Sequence, residues 1–101
     1  MPALVRRGRM PIYRLSPVDD LLNDPSWEAS MLREACWVRA DTTDSARHRV
    51  EMETAVIVAF RADRPTPSPP WKSARLVKCV EAAPEFDVPE GTIVRGDGAA
   101  F

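Results

Sequence analysis

Residues 41–60 have the sequence DTTDSARHRVEMETAVIVAF and carry the clearest structural signal in the chain. Residues 41–45 are polar and offer several N-caps directly before Ala46, because such side chains accept hydrogen bonds from the first free amides of a helix. Four positions then recur at helical spacing: Ala46, Val50, Glu53 or Thr54, and Ile57. This pattern predicts one main helix over about residues 43–58.

The end of the same stretch has two interpretations. Residues 54–60 are rich in β-branched side chains, which favour a strand by propensity alone. Nothing between Glu53 and Thr54 would turn the chain, so continuation of the helix is the favoured interpretation. A strand remains the alternative for this segment.

Two strands are predicted before the helix. The first covers residues 11–15, where Tyr13 and Leu15 share one face. A short helical turn follows over residues 16–20, where a serine cap, a proline and two acids favour its start. The second strand covers roughly residues 34–40. Its small apolar side chains share the face expected to line the core: Cys36, Val38 and Ala40.

After the helix, residues 61–70 hold four of the ten prolines. Because proline removes an amide donor and fixes φ, this segment continues neither a helix nor a strand ladder and is expected to be extended. A third strand is predicted over residues 74–81. The fold class is therefore α+β: a three-stranded sheet with one main helix packed on one face, in β-β-α-β order.

The chain divides into one domain and two terminal segments. Residues 1–9 are expected to be a flexible basic segment, and residues 10–84 a single α+β domain. Residues 85–101 are acidic and contain glycine, so they are expected to be a flexible tail. Residues 92–94 could add a short extra strand to it.

One face of the predicted sheet has no helix to cover it. That face carries Ile12, Trp37 and either Leu76 or Val77. An apolar face of this kind usually marks an interaction site, and a domain this small gains stability from association. The sequence therefore predicts a homodimer or a protein partner at this face. Coverage by the proline-rich segment and Trp71 is the alternative.

Composition excludes several classes of protein. The net charge of −1 gives no long-range attraction to nucleic acid or to anionic lipid. No apolar run approaches the 18 residues of a membrane span, so no membrane association is expected. The only two cysteines, Cys36 and Cys79, lie in apolar strands without a secretory signal before them. Free thiols in a reducing cytoplasm are expected.

No catalytic constellation or metal site is visible. His48 lies between two arginines on the predicted helix, a setting that favours a solvated surface residue over a general base. A zinc site needs about four ligands, and the two cysteines and the histidine have no local pairing. No metal, cofactor or enzymatic activity is therefore expected. A cysteine-dependent enzyme that uses Cys36 or Cys79 as its nucleophile stays as the weakest hypothesis.

The leading hypothesis is a non-enzymatic interaction module that associates with itself. RNA binding is the second, since basic side chains beside an exposed tryptophan can hold and stack single-stranded bases. Net charge and the lack of an RNA motif weigh against RNA binding. The candidate binding residues for either hypothesis are three tryptophans and three basic residues: Trp37, Trp71, Trp27, Arg14, Arg75 and Lys78. For the tryptophans, packing against the core is favoured over contact with a partner, because large aromatic side chains in small domains more often close a core.

Four short motifs are spread over residues 10–81. They are MPIYRL at 10–15, DPxWEAS at 24–30, VRA followed by AR at 38–47, and SPxW followed by VxCxE at 68–81. Together they resemble a group of small uncharacterised bacterial proteins. The doubled proline at 69–70 departs from that pattern, as does Glu53, where a small apolar residue is expected. The resemblance implies no activity.

Overall fold

The computed structural model describes residues 10–101, so the basic segment 1–9, predicted to be flexible, lies outside the described residues. One main helix packs against an antiparallel sheet, which confirms the α+β class. The strands are β1 Ile12–Pro17, β2 Cys36–Arg39, β3 Val77–Glu81 and β4 Val94–Arg95, and the helix is α1 Thr43–Thr54. Two 3₁₀ turns, Asp19–Leu21 and Pro25–Ala29, lie between β1 and β2.

The sheet has four strands in the order β3-β1-β2-β4, where three were predicted. The extra strand, β4, comes from residues 85–101, so the packed structure extends past the domain end predicted at residue 84. Ile93 and Val94 are each only 2% exposed, and burying them favours docking of this segment on β2. The extra strand expected as a possibility over residues 92–94 is thus formed, at Val94–Arg95.

The strand register defines two faces of the sheet, because residues directly opposite each other point to the same side. Tyr13 lies opposite Val38, and Leu15 lies opposite both Cys36 and Cys79. We call this side the inner face. On the other side, the outer face, one row crosses all four strands: Val80, Arg14, Trp37 and Val94.

The inner face carries the core beneath α1. Six of its apolar side chains are at most 2% exposed: Leu15, Cys36, Val38, Ala46, Val50 and Val77. The predicted inward alternation of β2 and the predicted helical contacts Ala46 and Val50 are thus confirmed. Helix α1 begins as expected, since the Thr42 side chain accepts a hydrogen bond from the Ser45 amide at 3.0 Å.

Helix α1 ends at Thr54, so the prediction of a helix to residue 58 is wrong. Ala55 has extended backbone, with φ −65° and ψ 142°. The Thr54 carbonyl accepts from the Met31 amide at 2.7 Å, and the Val56 amide donates to the Ala29 carbonyl at 3.0 Å. Backbone groups that would continue the helix are therefore taken by residues 29–31. Ile57, expected on the buried face, is fully exposed.

The alternative of a strand over residues 54–60 is not formed either. Within residues 54–60, the only β pairing is a single antiparallel bridge between Ser30 and Ala55. The third strand is also shorter than predicted, since β3 starts at Val77 and not at residue 74. Both the Leu76 and the Val77 amides donate to the Ser73 carbonyl, at 3.2 and 3.0 Å, which makes a turn there.

Candidate functional site

The three tryptophans fall into two environments. Trp27 and Trp71 are 2% and 0% exposed, and their rings meet edge to face at a centroid distance of 5.4 Å. The Trp71 Nε1 donates to Ser30 Oγ at 2.9 Å. Both rings therefore close the core beside the end of α1 and are shielded from solvent. Trp37 is half-buried on the outer face.

The buried tryptophan corner contains a polar network that the sequence does not reveal. Ser30 Oγ donates to the Leu32 carbonyl at 2.7 Å and lies 3.3 Å from Thr54 Oγ1. Thr54 Oγ1 donates to the Val50 carbonyl at 2.7 Å. Because buried polar groups are costly unless they are hydrogen-bonded, this network makes Ser30 and Thr54 structural residues.

Trp37 and Arg14 form the centre of the outer face. The Arg14 guanidinium carbon lies 5.7 Å from the Trp37 ring centroid, a cation–π contact. Phe86 meets the same ring edge to face, at a centroid distance of 6.1 Å and an angle of 88°. The ring is thus held between an arginine from β1 and a phenylalanine from the C-terminal segment.

The C-terminal segment covers the half of the outer face that lies over β2 and β4. Val88 is fully buried, and its carbonyl accepts from Arg39 Nε at 2.5 Å. Gly98 has a φ of 90°, and a Cβ there would lie 3.4 Å from Phe86. The alternative that the proline-rich segment and Trp71 cover this face is therefore wrong, because Trp71 is buried in the core cluster and the cover comes from residues 86–101.

The other half of the outer face, over β1 and β3, stays accessible. Val80 is 52% exposed, Lys78 is exposed, and Ile12 is half-buried. Lys78 lies opposite Ser16. A shallow hollow of about 400 Å³ adjoins this half and is lined by both charge signs: Arg14, Arg33, Asp19 and Glu34. We call this half, with Ile12, Arg14, Lys78 and Val80, the open sheet patch.

The open sheet patch ends at a free strand edge. The Val18 amide donates to the Leu76 carbonyl at 2.9 Å, and the Ala82 amide donates to the Ile12 carbonyl at 3.0 Å. Even-numbered residues of β3 therefore bond to β1, and the backbone groups of Cys79 and Glu81 point away from it. Within residues 10–101, those outward groups have no backbone partner. Such an edge accepts a further strand.

Arg75 does not join the other basic candidates. Its guanidinium pairs with Asp24 Oδ2 at 3.0 Å, and Asp24 Oδ1 accepts from the Ser26 amide at 2.9 Å. Hydrogen bonds from the Ser26 amide and from Arg75 hold the pKa of Asp24 below its usual range. Arg75 therefore links the start of a 3₁₀ turn to the segment before β3, apart from Arg14 and Lys78.

The two cysteines flank Leu15, because β1 lies between β2 and β3. The two strands that carry them are thus not neighbours, and both thiols are free. Burial raises the pKa of Cys36 from its ordinary value to about 12, and burial also raises the pKa of Cys79. Near neutral pH both are protonated thiols, whereas a nucleophile requires the thiolate.

His48 is exposed on α1, between Arg47 and Arg49. Across residues 10–101, no group of three or more histidine, cysteine or acidic side chains is placed to hold a metal ion. No helix in the same range is long and apolar enough to cross a membrane.

Comparison of the chain with protein-family models, with curated proteins and with solved structures gives no match. The resemblance to small bacterial proteins therefore stays an expectation from the motifs.

Proposed function

We propose that this protein is a non-enzymatic interaction module that associates with itself through the open sheet patch and the free edge of β3. The supporting observation is the position of Val80, a large apolar side chain that is 52% exposed next to an unpaired strand edge. Native edges of this kind are usually covered, twisted or paired. Pairing with a second copy would shelter both the edge and Val80.

A second copy fits the β3 edge by symmetry. Two antiparallel β3 strands related by a two-fold axis at Cys79 exchange hydrogen bonds through the outward backbone groups of that residue. In this register Lys78 lies opposite the partner's Val80, so the methylene stem of the lysine packs on the valine and the ammonium reaches water. The result is a continuous eight-stranded sheet across two protomers.

The test compares the full chain with Val80→Asp by light scattering after size exclusion over a dilution series. We expect the charge at the strand edge to raise the dissociation constant of this contact at least tenfold. Met52→Asp is the matched control, because Met52 is 64% exposed on α1, which packs on the inner face. A wild-type chain that is monomeric at every concentration would refute self-association.

RNA binding is the second candidate, and the contact between Arg14 and Trp37 favours it. Both side chains share the outer face with Lys78, as a stacking platform requires. Arg14 already covers the Trp37 ring, however, so a base would have to displace it. Fluorescence anisotropy with a ten-nucleotide oligouridine at low salt tests this. Binding that weakens with salt and with Arg14→Ala would favour RNA over self-association.

A cysteine-dependent enzyme is the third candidate, and the raised pKa values of both thiols count against it. Two free cysteines support our proposal that the protein works in a reducing cytoplasm. Turnover of any substrate that is lost in Cys79→Ser would move the enzyme hypothesis to first place.

A further inference from the structure

The shallow hollow beside the outer face, of about 400 Å³, opens where β1 and β2 separate. The Ala40 amide donates to the Pro11 carbonyl, so odd-numbered residues of β1 occupy the hydrogen-bonded positions toward β2. The next such position after Leu15 is Pro17, which has no amide to donate. The β1–β2 ladder therefore ends at the pair of Leu15 and Cys36, and the space beyond it stays open. We call this space the strand-end hollow.

Four charged side chains line the strand-end hollow, two of each sign: Arg14, Arg33, Asp19 and Glu34. Among residues 10–101, none of the four forms an ion pair. Opposite charges around one hollow attract each other, yet here the guanidinium groups and the carboxylates lie beyond direct contact. The space between the two signs is one that a small molecule carrying both charges can bridge.

One of these charges is held in position by its neighbours. The Arg14 guanidinium carbon lies 5.7 Å from the centroid of the Trp37 ring, and Phe86 packs edge to face on the same ring. A guanidinium that stacks on an aromatic face keeps its N–H edge available for a carboxylate. Because Arg14 is already ordered, binding a ligand costs it less conformational freedom than a solvated arginine would lose.

The rest of the lining is uncharged: Ser16, Pro17, Leu22 and Ala35. Leu22 is 39% exposed, so its side chain offers apolar surface to whatever enters the hollow. Small-molecule sites typically combine an apolar lining with a few charged groups that fix the orientation of the ligand. The strand-end hollow has both parts.

We propose that the strand-end hollow binds a free α-amino acid with an apolar side chain. Arg14 and Arg33 bind the ligand carboxylate, Asp19 and Glu34 bind its ammonium group, and its side chain packs on Leu22. The four protein charges sum to zero, which matches a zwitterion better than an anion or a cation. Because the hollow is shallow, the dissociation constant is expected to be on the order of 1 mM. The site does not use the β3 edge, so this proposal and self-association can fail separately.

An NMR titration of the isotope-labelled full chain with L-leucine tests the site. The backbone amide signals of Leu22 and Ala35, which line the hollow, should shift and reach saturation. Two leucine derivatives each lack one of the ligand charges: N-acetyl-leucine has no ammonium group, and leucinamide has no carboxylate. Each derivative should bind several-fold more weakly than leucine, because one pair of protein charges is then left without its partner.

Variants separate the two charge signs. Arg33→Ala and Glu34→Gln should each raise the dissociation constant for leucine by about threefold or more. Arg61→Ala is the matched control and should leave it unchanged, because Arg61 is also exposed and unpaired among residues 10–101 but does not line the hollow. Circular dichroism checks that each variant is folded. The proposal is overturned if tens of millimolar leucine give no saturable shift, if N-acetyl-leucine binds as tightly as leucine, or if folded Arg33→Ala and Glu34→Gln bind like the wild type.

Discussion

The two faces of the sheet are covered in different ways. The inner face is sealed by α1 and by the corner of Trp27 and Trp71, so that Leu15, at its centre, is fully buried. The outer face is covered over β2 and β4 by the C-terminal segment and is left open over β1 and β3, where Val80 is 52% exposed. The sheet therefore has one fully covered face and one face that is covered only in part.

The difference shows that apolar character alone does not decide which side chains are buried. Trp71 follows a proline-rich connection and is fully buried, whereas Ile57 precedes it and is fully exposed. The two residues differ because the chain packs against the core at Trp71 and runs along the surface at Ile57. The exposed side chains, Val80 and Ile57 among them, are the surfaces that association can still shelter.

The largest expected effect comes from removing the C-terminal segment, which covers part of the outer face and also adds Ile93 to the core cluster. A chain ending at Pro84 loses Val88, Ile93 and Val94, which are at most 2% exposed. At about 1.5–3 kcal/mol for each buried side chain, the free energy of unfolding should fall by roughly 5 kcal/mol or more. Urea unfolding monitored by circular dichroism measures this.

The control for that truncation is a chain lacking only Phe101, which is 44% exposed and should change the free energy of unfolding by less than about 1 kcal/mol. If the chain ending at Pro84 unfolded as cooperatively as the full chain, the outer face would not need its C-terminal cover.

The two faces can be compared directly through their tryptophans. Trp71→Ala empties a fully buried site and removes the donor to Ser30, so it should cost about 3–5 kcal/mol. Trp37→Ala removes a half-buried ring and its contact with Arg14, and should cost about 1–2 kcal/mol. Equal losses in urea unfolding would mean that both faces are packed alike.

A smaller effect is expected from the polar network of the tryptophan corner. Ser30→Ala leaves the buried Trp71 Nε1 without its acceptor, which should cost about 1–3 kcal/mol. Ser68→Ala is the matched control, because Ser68 is exposed and should change stability by less than about 0.5 kcal/mol. A neutral Ser30→Ala would indicate that Trp71 finds another acceptor. Thermal and urea unfolding of both variants provide the comparison.

The smallest expected effect depends on pH and concerns the centre of the inner face. Burial raises the pKa of the Cys36 thiol from 9.0 to about 12, so the folded state holds its proton more tightly than the unfolded state. The contribution of this protonated thiol to the free energy of unfolding is fully present below about pH 9 and is lost as the pH rises from 9 toward 12. Between pH 8 and pH 10 the loss should be about 1 kcal/mol.

Comparison with Cys36→Ala isolates this contribution, since other groups titrate equally in both chains. The variant should lose about 1 kcal/mol less than the wild type over the same interval, as measured by urea unfolding. Identical pH dependence in the two proteins would show that the thiol is accessible to water in the folded state.

Local sequence patterns correctly predicted those features that depend only on neighbouring residues. Alternation placed Cys36 and Val38 on the core side of β2, and the polar run before Ala46 located the start of α1. The end of α1 could not be predicted, because it depends on residues 29–31, which capture the Thr54 carbonyl and the Val56 amide from a distant part of the chain.

The candidate site was predicted only in part, for the same reason. Arg14, Trp37 and Lys78 do share the outer face, as strand alternation requires. Packing of large aromatic side chains against the core was the favoured interpretation of Trp27 and Trp71, and their burial agrees with it. The exposure of Val80 and Ile57 had no signal in the sequence. Whether each of these side chains is buried depends on which distant segment of the chain packs over it.

The sequence by itself determined the α+β class, the inward face of β1 and β2 and the start of the helix, because periodicity and capping act over a few neighbouring residues. The tertiary structure alone decided the strand order, the docking of the fourth strand on β2, the end of the helix and the side chains left exposed. Those features depend on contacts between segments far apart in the chain, where burial of apolar surface and satisfaction of backbone hydrogen bonds outweigh local propensity.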